Sequence, residues 1–368
     1  MALLQHSQTD LEYVTHLWHW FALTGWMHLG DRICRAIAPF FRTISMDRKR
    51  YTLLVTCYNF ERFIRETVRA ALAQTYEPLD IIFSDDCSAD RSWEIITEEV
   101  AAYKGPHHII LNRNETNLGF AANLNKSYAL ARTDWVINQS GDDISLPMRV
   151  ERYVEVIESN PRLRCVGSWY EVIDGNGLVK PTPKEWSQLD SRTANKRLIP
   201  MVIGVVAAYH MDVFRVFGPM SAQVWNEDSV LPFRARLIGE IGWVDEVLVQ
   251  YRFHDANMSG GTAGDRRLRI AGYTNRRQPA IYQQLIDLYV AEKIMPDCGR
   301  KFLKMRRFLE REVYIKWFVS NWVLHPGWRW TLLWDLFLRP AHLWTVGLKI
   351  VTKTMERVCR LLSCRSLM

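Results

Sequence analysis

The sequence predicts an α/β fold: an open, mainly parallel sheet with helices on both faces, extended by helical segments at both ends. Three observations predict it. Short β-rich apolar runs alternate with stretches of helical periodicity between Tyr51 and Asn138. Carboxylates and amides gather where those runs end. Residues 265–368 carry helical patterning without the strand signals of the middle.

The elements follow in order. Tyr51–Cys57 (YTLLVTC) is a short apolar run of the kind a strand buried on both faces requires. Phe60, Phe63, Ile64, Val68, Ala71 and Leu72 recur at helical spacing. Leu79–Ser84 reads as a second strand, followed by Asp85 and Asp86. Arg91–Tyr103 reads as a helix that Ser88 or Asp90 can cap. His108–Leu111, Phe120–Ala131 and Trp135–Asn138 supply a strand, a helix and a strand. The order βαβαβαβ means an open and mainly parallel sheet with helices on both faces. Beyond Gly141 the pattern loosens. Leu163–Asp174 reads as a longer strand, with a turn at Asp174–Gly177 (DGNG). Ile203–Tyr209 and Gly242–Tyr251 have strand character, and Ser229–Ile238 reads as a short helix with Pro232 in its first turn. Met258–Gly264 (MSGGTAG) is small and polar and marks a domain boundary.

Composition narrows the function classes. Hydrophobic residues make up 48% and charged residues 24%, which is globular and not disordered. The seven cysteines include no C-x-x-C pair and have no His cluster beside them. That argues against structural zinc and fits a reducing compartment. The net charge of +7 is uneven. Residues 301–368 hold 13 Lys/Arg against 4 Asp/Glu, whereas the first 300 hold 34 against 36. The basic character belongs to the tail, which speaks for contact with an anionic surface and against a nucleic-acid enzyme.

The ends suggest a protein that lies on a membrane without crossing it. Met1–Tyr13 has no Lys or Arg, unlike a secretory signal. Leu17–Leu29 is apolar but interrupted by His19 and His28, and is short of the ~20 residues a span needs. Arg329, Asp335, Arg339 and Lys349 break up the tail. Trp18, Trp20 and Trp26 lie near the start, and Trp317, Trp322, Trp328, Trp330, Trp334 and Trp344 near the end. Tryptophan beside Lys/Arg suits the membrane–water interface, although a helical subdomain packed on itself reads the same way. The expectation is a cytoplasmic protein, peripheral on the inner face of the membrane.

In an open α/β sheet, ligands bind beyond the carboxyl ends of the strands. Thr56, Tyr58 and Asn59 end the first strand, Asp85 and Asp86 the second, and Asp142 and Asp143 follow the fourth. Asn117, Gly119 and Asn123 begin the third helix. So many carboxylates at one rim repel one another and need a cation or donors. A nucleoside diphosphate with Mg²⁺ or Mn²⁺ supplies both. Neither G-x-x-x-x-G-K-[ST] nor a G-x-G-x-x-G after the first strand is present. Diphosphate charge therefore falls to a metal, which fits Asp142 and Asp143.

A set of ordered motifs from Tyr51 to Ser259 resembles the inverting family 2 glycosyltransferases of the GT-A fold. Thr56-Cys57-Tyr58-Asn59 resembles T-x-Y-N, and Ala73-Gln74-Thr75-Tyr76 resembles A-Q-T-Y. Ser84-Asp85-Asp86-Cys87-Ser88-Ala89-Asp90 resembles D-D-G-S-x-D, with Cys87 in place of Gly. Asn117-Leu118-Gly119 resembles N-x-G, and Gly141-Asp142-Asp143 a D-x-D-type metal motif. Asn226-Glu227-Asp228 resembles the E-D motif, and Tyr251-Arg252-Phe253-His254 with Asn257 and Ser259 resembles Y-R-x-H-x-x-N-x-S.

The resemblance implies single-sugar transfer from a nucleotide-diphosphate sugar to an acceptor hydroxyl, with inversion at the anomeric carbon. It implies that Thr56, Tyr58, Asn59, Asn117, Gly119 and one or both of Asp85 and Asp86 bind the nucleotide. Asp142 and Asp143 would hold ribose and metal, with Arg252 and His254 near the diphosphate and His254 a candidate metal ligand. Asp228 would be the general base, with Glu227 as the alternative. The cofactor would be Mn²⁺ or Mg²⁺, and the acceptor a glycan or lipid-linked precursor of surface polysaccharide. No Q-x-x-R-W motif of processive synthases is present. The expected domains are a helical segment at 1–48, the GT-A domain at 49–260 and a basic, Trp-rich helical region at 261–368. Two other readings compete: a sugar-1-phosphate nucleotidyltransferase, which would carry a Gly-rich basic loop where Tyr58–Arg62 stands, and a non-catalytic nucleotide-sugar-binding membrane module.

Overall fold

The structure is a computed structural model that describes residues 50–181, 196–254, 257 and 266–324; the side chains of 266–276 and 317–324 are outside the described set. The expected N-terminal segment at 1–48, the boundary at Met258–Gly264 and the side chains of all six tail tryptophans lie outside the described residues.

The first half follows the predicted alternation. The elements are β1 (Tyr51–Cys57), α1 (Ile64–Leu72), β2 (Leu79–Asp85), α2 (Ser92–Ala102), β3 (His108–Arg113), α3 (Phe120–Leu130) and β4 (Trp135–Ser140). These strands lie in the order β3-β2-β1-β4, all parallel. The β1 run is continuously apolar because the sheet is covered on both faces. Leu53 and Val55 enter one hydrophobic cluster and Leu54 the other. Helix α1 buries Ile64, Thr67, Val68 and Ala71, one stripe at i, i+3, i+4 and i+7.

The second half is mixed. It comprises β5 (Ile144–Ser145), α4 (Arg149–Ser159), β6 (Leu163–Asp174), β7 (Val179–Lys180), β8 (Ala207–His210), α5 (Glu227–Ile238) and β9 (Glu240–Phe253). The sheet continues β4-β8-β6-β9-β5, with β7 on β6 through the predicted turn at 174–177. Strand β8 is antiparallel to both neighbours, and β5 is antiparallel to β9. "Mainly parallel" therefore describes the first half, while β6 and β9 form a long parallel pair whose register shifts bend the sheet. The unpredicted elements include one helix and one strand. Helix α4 begins two residues after Pro147 and opens on a buried arginine, and β5 has only two residues. Pro232 lies in the sixth position of α5, which begins two residues earlier than expected.

The C-terminal helical region begins with α6 (Arg266–Ile294) and α7 (Gly299–Leu324). They form a hairpin that shares a core with the domain. Phe217, Phe233 and Leu237 pack with Ile281, Leu288 and Ala291 of α6 and with Phe302, Met305 and Leu309 of α7. At the centre of this contact Arg234 on α5 is fully buried. Its Nε and one terminal nitrogen donate to the two Asp287 oxygens at 2.8 and 2.9 Å. The other terminal nitrogen donates to the Gly218 and Val213 carbonyls at 2.7 and 3.2 Å. Gln284 donates to the Ser229 carbonyl at 2.7 Å, tying α6 to the first turn of α5. Burial still raises the Asp287 pKa against the pull of Arg234. The ion pair thus fixes where the hairpin sits more than it adds to net stability.

The prediction is asymmetric. Asp287→Ala leaves Arg234 buried and unpaired and should cost about 3–5 kcal/mol in urea unfolding, whereas Arg234→Met with Asp287→Leu should cost far less.

Candidate functional site

Parallel pairing sets where the polar residues emerge. Cys57 lies opposite Asp85 and Thr56 lies opposite Ser140, so β1, β2 and β4 end level. Tyr58 and Asn59, Asp85 and Asp86, and Gly141 to Asp143 therefore leave the sheet at one carboxyl edge. A Cβ on Gly141 would stand 2.9 Å from Phe60 and 3.0 Å from the Thr56 carbonyl, so a residue without a side chain lets the acidic turn close against β1.

The two carboxylates after β2 organise separate loops. Asp85 is fully buried. It accepts from the Ser88 amide at 3.0 Å and from the Ser88 hydroxyl, with Arg113 at 3.5 Å. Asp86 accepts from Asn114 at 2.8 Å and from the backbone amides of Leu118 and Gly119 at 2.9 and 3.0 Å. The Asn117 side chain also accepts from Gly119, so Asp86, Asn117 and Gly119 form one knot at the start of α3. Asn59 has a left-handed φ of 57° and bonds both ways with the Ser88–Ala89 segment. Tyr58 is 45% exposed and Thr56 half-buried. Asp90, one of the two expected caps, accepts from the Ser92 amide at 3.0 Å. Ser88 is occupied with Asn59 and Asp85 instead.

Cys87 keeps a left-handed φ of 61°, so the glycine-like turn survives with a side chain on it.

The Asp142–Asp143 turn is buried and backed by two arginines. Asp142 is 5% exposed and Asp143 1%. The last turn of β9 reaches them because β9 pairs with β5, Ile144 opposite Gln250. The Arg252 amide donates to Asp143 Oδ1 at 2.7 Å, and its Nε donates to the Asp142 carbonyl at 2.9 Å. The outer end of the same guanidinium reaches Glu66 at 2.6 Å across the Phe63 ring. Asp142 Oδ2 lies 3.1 Å from His254 Nε2, and Asn257 approaches the same oxygen at 3.5 Å. Ser140 donates to the other oxygen at 2.5 Å. Burial and the neighbouring Asp142 charge hold the Asp143 carboxyl well above its usual range, against the pull of Arg252 and Arg149. Asp142 and His254 are thus brought together, while Asp143 faces the Arg252 backbone. Among the described residues no group of three or more His, Cys, Asp or Glu converges as a ready metal cluster.

Sequence reasoning missed Arg149, Glu66 and Thr67. Arg149 is fully buried and donates to the carbonyls of Asn138 and Val205 and to the Ser145 hydroxyl. Thr67 donates to the carbonyls of Gly141 and Asp143 at 3.0 and 2.8 Å. Thr67 lies on the buried stripe of α1, a signal that was legible. An arginine at the head of a helix gives none.

Glu227 and Asp228 open α5 next to the same network. Glu227 lies against Gly204, one residue before the Val205 carbonyl that Arg149 holds. Asp228 Oδ1 is buried with no hydrogen-bond partner among the described residues. Burial, with the Asp228 charge beside it, pushes Glu227 up to about 8. Burial pushes Asp228 up to about 6, opposed by Arg277 of α6 and by Asn226. The two adjacent carboxyls titrate as a pair, both held above the usual carboxylate range.

Fold and site together define an open-sheet α/β domain whose carboxyl edge is acidic and braced from beneath by buried arginines. Residues 52–218 match the family model described as Glycosyl transferase family 2. EpsE of Bacillus subtilis (strain 168), itself named a glycosyltransferase only provisionally, is 33% identical over 129 residues, 35% of this chain and 46% of that one. The uncharacterized glycosyltransferase alr2836 of Nostoc sp. (strain PCC 7120 / SAG 25.82 / UTEX 2576) is 28% identical over 230 residues, 58% and 68% of the two chains. The match thus spans about half the length of the first relative. The mannosyltransferase PcManGT of Pyrobaculum calidifontis, solved in complex with GDP-Man and Mn²⁺, superimposes with a TM-score of 0.53 at 17% identity, covering 85% of this chain and 81% of that one. At that identity the likeness shows the fold. Residues 52–218 thus carry a glycosyltransferase family 2 domain, and the fold is GT-A.

Replacing Cys87 with Gly should stabilise the protein. Relief of left-handed strain, roughly 1–2 kcal/mol, exceeds the added chain entropy of roughly 0.5–1 kcal/mol. A rise of about 0.5–1 kcal/mol in denaturant unfolding is expected.

Proposed function

We propose that the protein transfers a single sugar from a nucleotide-diphosphate sugar to an acceptor hydroxyl with inversion at the anomeric carbon. The observation that carries this is the buried Oδ1 of Asp228, which has no hydrogen-bond partner among the described residues and lies beside Glu227 in a family 2 domain. The nucleotide takes the edge formed by Thr56, Tyr58, Asn59, Asn117 and Gly119, with Asp85 and Asp86 shaping the loops that meet it. The exposed Tyr58 ring is available to the base. Asp142 faces ribose and diphosphate, with Arg252 holding the turn from beneath.

The donors suit a divalent ion. Asp142 Oδ2 and His254 Nε2 form a mixed oxygen–nitrogen pair, which favours Mn²⁺ over Mg²⁺. Asp143 completes the acidic side. Such an ion offsets charge growing on the leaving diphosphate. The protein's own part is proton transfer and placement. Asp228 takes the proton of the acceptor hydroxyl as its oxygen bonds to the anomeric carbon. The bond from that carbon to the diphosphate breaks on the opposite face. The carboxylate must stand within hydrogen-bonding reach of that hydroxyl, which its unpartnered oxygen permits.

The acceptor is a glycan or lipid-linked precursor of surface polysaccharide, met at the inner face of the membrane by a peripheral cytoplasmic protein. The basic composition after residue 300 supports this placement. Among the described residues no helix is long and apolar enough to cross a membrane.

Asp228→Asn should still bind donor, by calorimetry, yet lose about 10²–10⁴-fold in transfer. Glu227→Gln, which keeps the size of the side chain and leaves Asp228 in place, should keep most activity. The reverse result would make Glu227 the base. A base must be unprotonated, so kcat should fall as pH drops through about 6 in the wild type. A flat profile between pH 5 and 7 would remove Asp228 from the role.

A further inference from the structure

The outward side of the C-terminal hairpin has a pattern that the transfer chemistry does not use. Along α7, Phe302, Met305 and Leu309 are buried in the hairpin core. The opposite side carries Arg300, Lys304, Arg307 and Arg311, spaced i, i+4, i+7 and i+11. On an α-helix that spacing confines them to an arc of about 60° over roughly 16 Å. Arg300, Lys304 and Arg307 are exposed and Arg311 is half-buried. Leu303 and Phe308, 45% and 39% exposed, flank the row.

The acids nearby do not neutralise it. Glu312 pairs with Lys316 at 2.8 Å and Glu292 pairs with Arg306, neither of them in the row. Glu310 and Asp297 are exposed at its margins. No ion pair engages Arg300, Lys304 or Arg307 among the described residues. A helix face that stacks unpaired cations repels itself and gains only where something negative lies against it. The chain beyond the described residues continues in the same sense: 325–368 holds seven Lys/Arg, two Asp/Glu and four Trp.

We propose that this face of α7, the row Arg300–Lys304–Arg307–Arg311 with Leu303 and Phe308 beside it, is where the protein lies against an anionic bilayer. The occupant follows from charge and shape. A long, straight, single-sign row with apolar residues at its flanks matches a flat anionic surface that also accepts side chains into its headgroup layer. A small anion would need convergent donors, and this row is spread along the helix. The placement rests on the proposed action at a membrane, and it orients the domain, because α6 joins α7 to α5, where Glu227 and Asp228 lie.

The test uses the full chain and vesicles of phosphatidylcholine, alone or with about one-third phosphatidylglycerol. Wild type should sediment with the anionic vesicles, only weakly with the neutral ones, and less as salt rises. Each basic residue near such a surface is worth roughly fivefold in binding, so the triple variant R300Q/K304Q/R307Q should lose at least tenfold. A control with the same loss of charge, K104Q/K126Q/R132Q, removes exposed cations elsewhere and should bind as wild type does. Unchanged binding of the first variant, equal loss in both, or no vesicle binding by the wild type would each overturn the proposal. Donor binding in solution, measured on the same preparations, reports separately on the transferase reading. If it persists while the vesicle result fails, only the docking face is lost; if wild type binds no donor, the transferase reading fails independently.

Discussion

The acidic edge depends on one guanidinium group. Arg252 is 1% exposed, and it joins three segments distant in sequence. Its backbone amide holds Asp143, its Nε holds the Asp142 carbonyl, and its outer end meets Glu66 on α1. Two neighbouring carboxylates would otherwise repel each other and drift toward water. With the cation beneath them they stay buried and fixed. Lysine would not substitute, since a single ammonium cannot present several donors in a planar fork. Arg149 repeats the device from the other side, holding the carbonyls that frame the turn.

Much of this was legible in the sequence, and the reasons differ by element. The strands β1, β2 and β4 are buried on both faces, so their apolar runs stand out, and parallel pairing forces their ends to one edge. That alone gathers Tyr58, Asp86 and Asp142. The mixed half was less readable. A two-residue strand such as β5 has no periodicity, yet its pairing with β9 delivers Arg252 and His254 to the acidic turn. Buried arginines also defeat pattern reading, because a charge normally marks the solvent face. Arg149, Arg234 and Arg252 invert that rule by satisfying carbonyls and carboxylates.

The helical hairpin is bound to the proposed catalytic pair through α5. One face of α5 presents Glu227 and Asp228, and another buries Arg234 against Asp287. Removing everything after about residue 259 would strip the cover from Phe233 and Leu237 and strand Arg234 without its partner. A truncation therefore confuses loss of a membrane contact with loss of the fold. Substitutions confined to the solvent side of α7 avoid that confusion, because the hairpin core lies on the opposite side.

The same arrangement sets a tension between stability and catalysis. Folded Glu227 and Asp228 keep protons that the unfolded chain releases near pH 4 to 4.5. Their raised pKa values favour the native state at low pH, and this contribution is lost as pH rises through about 6 and then about 8. The ionised form that the proposed base role requires is thus the form the fold tolerates least. What holds it in place lies elsewhere: the packed hairpin, the bond from Gln284 to the Ser229 carbonyl, and the charge of Arg277 acting on Asp228. A carboxylate left partly unsatisfied in a rigid surround is poised to accept a proton from an incoming hydroxyl, since that exchange relieves a cost the fold already bears.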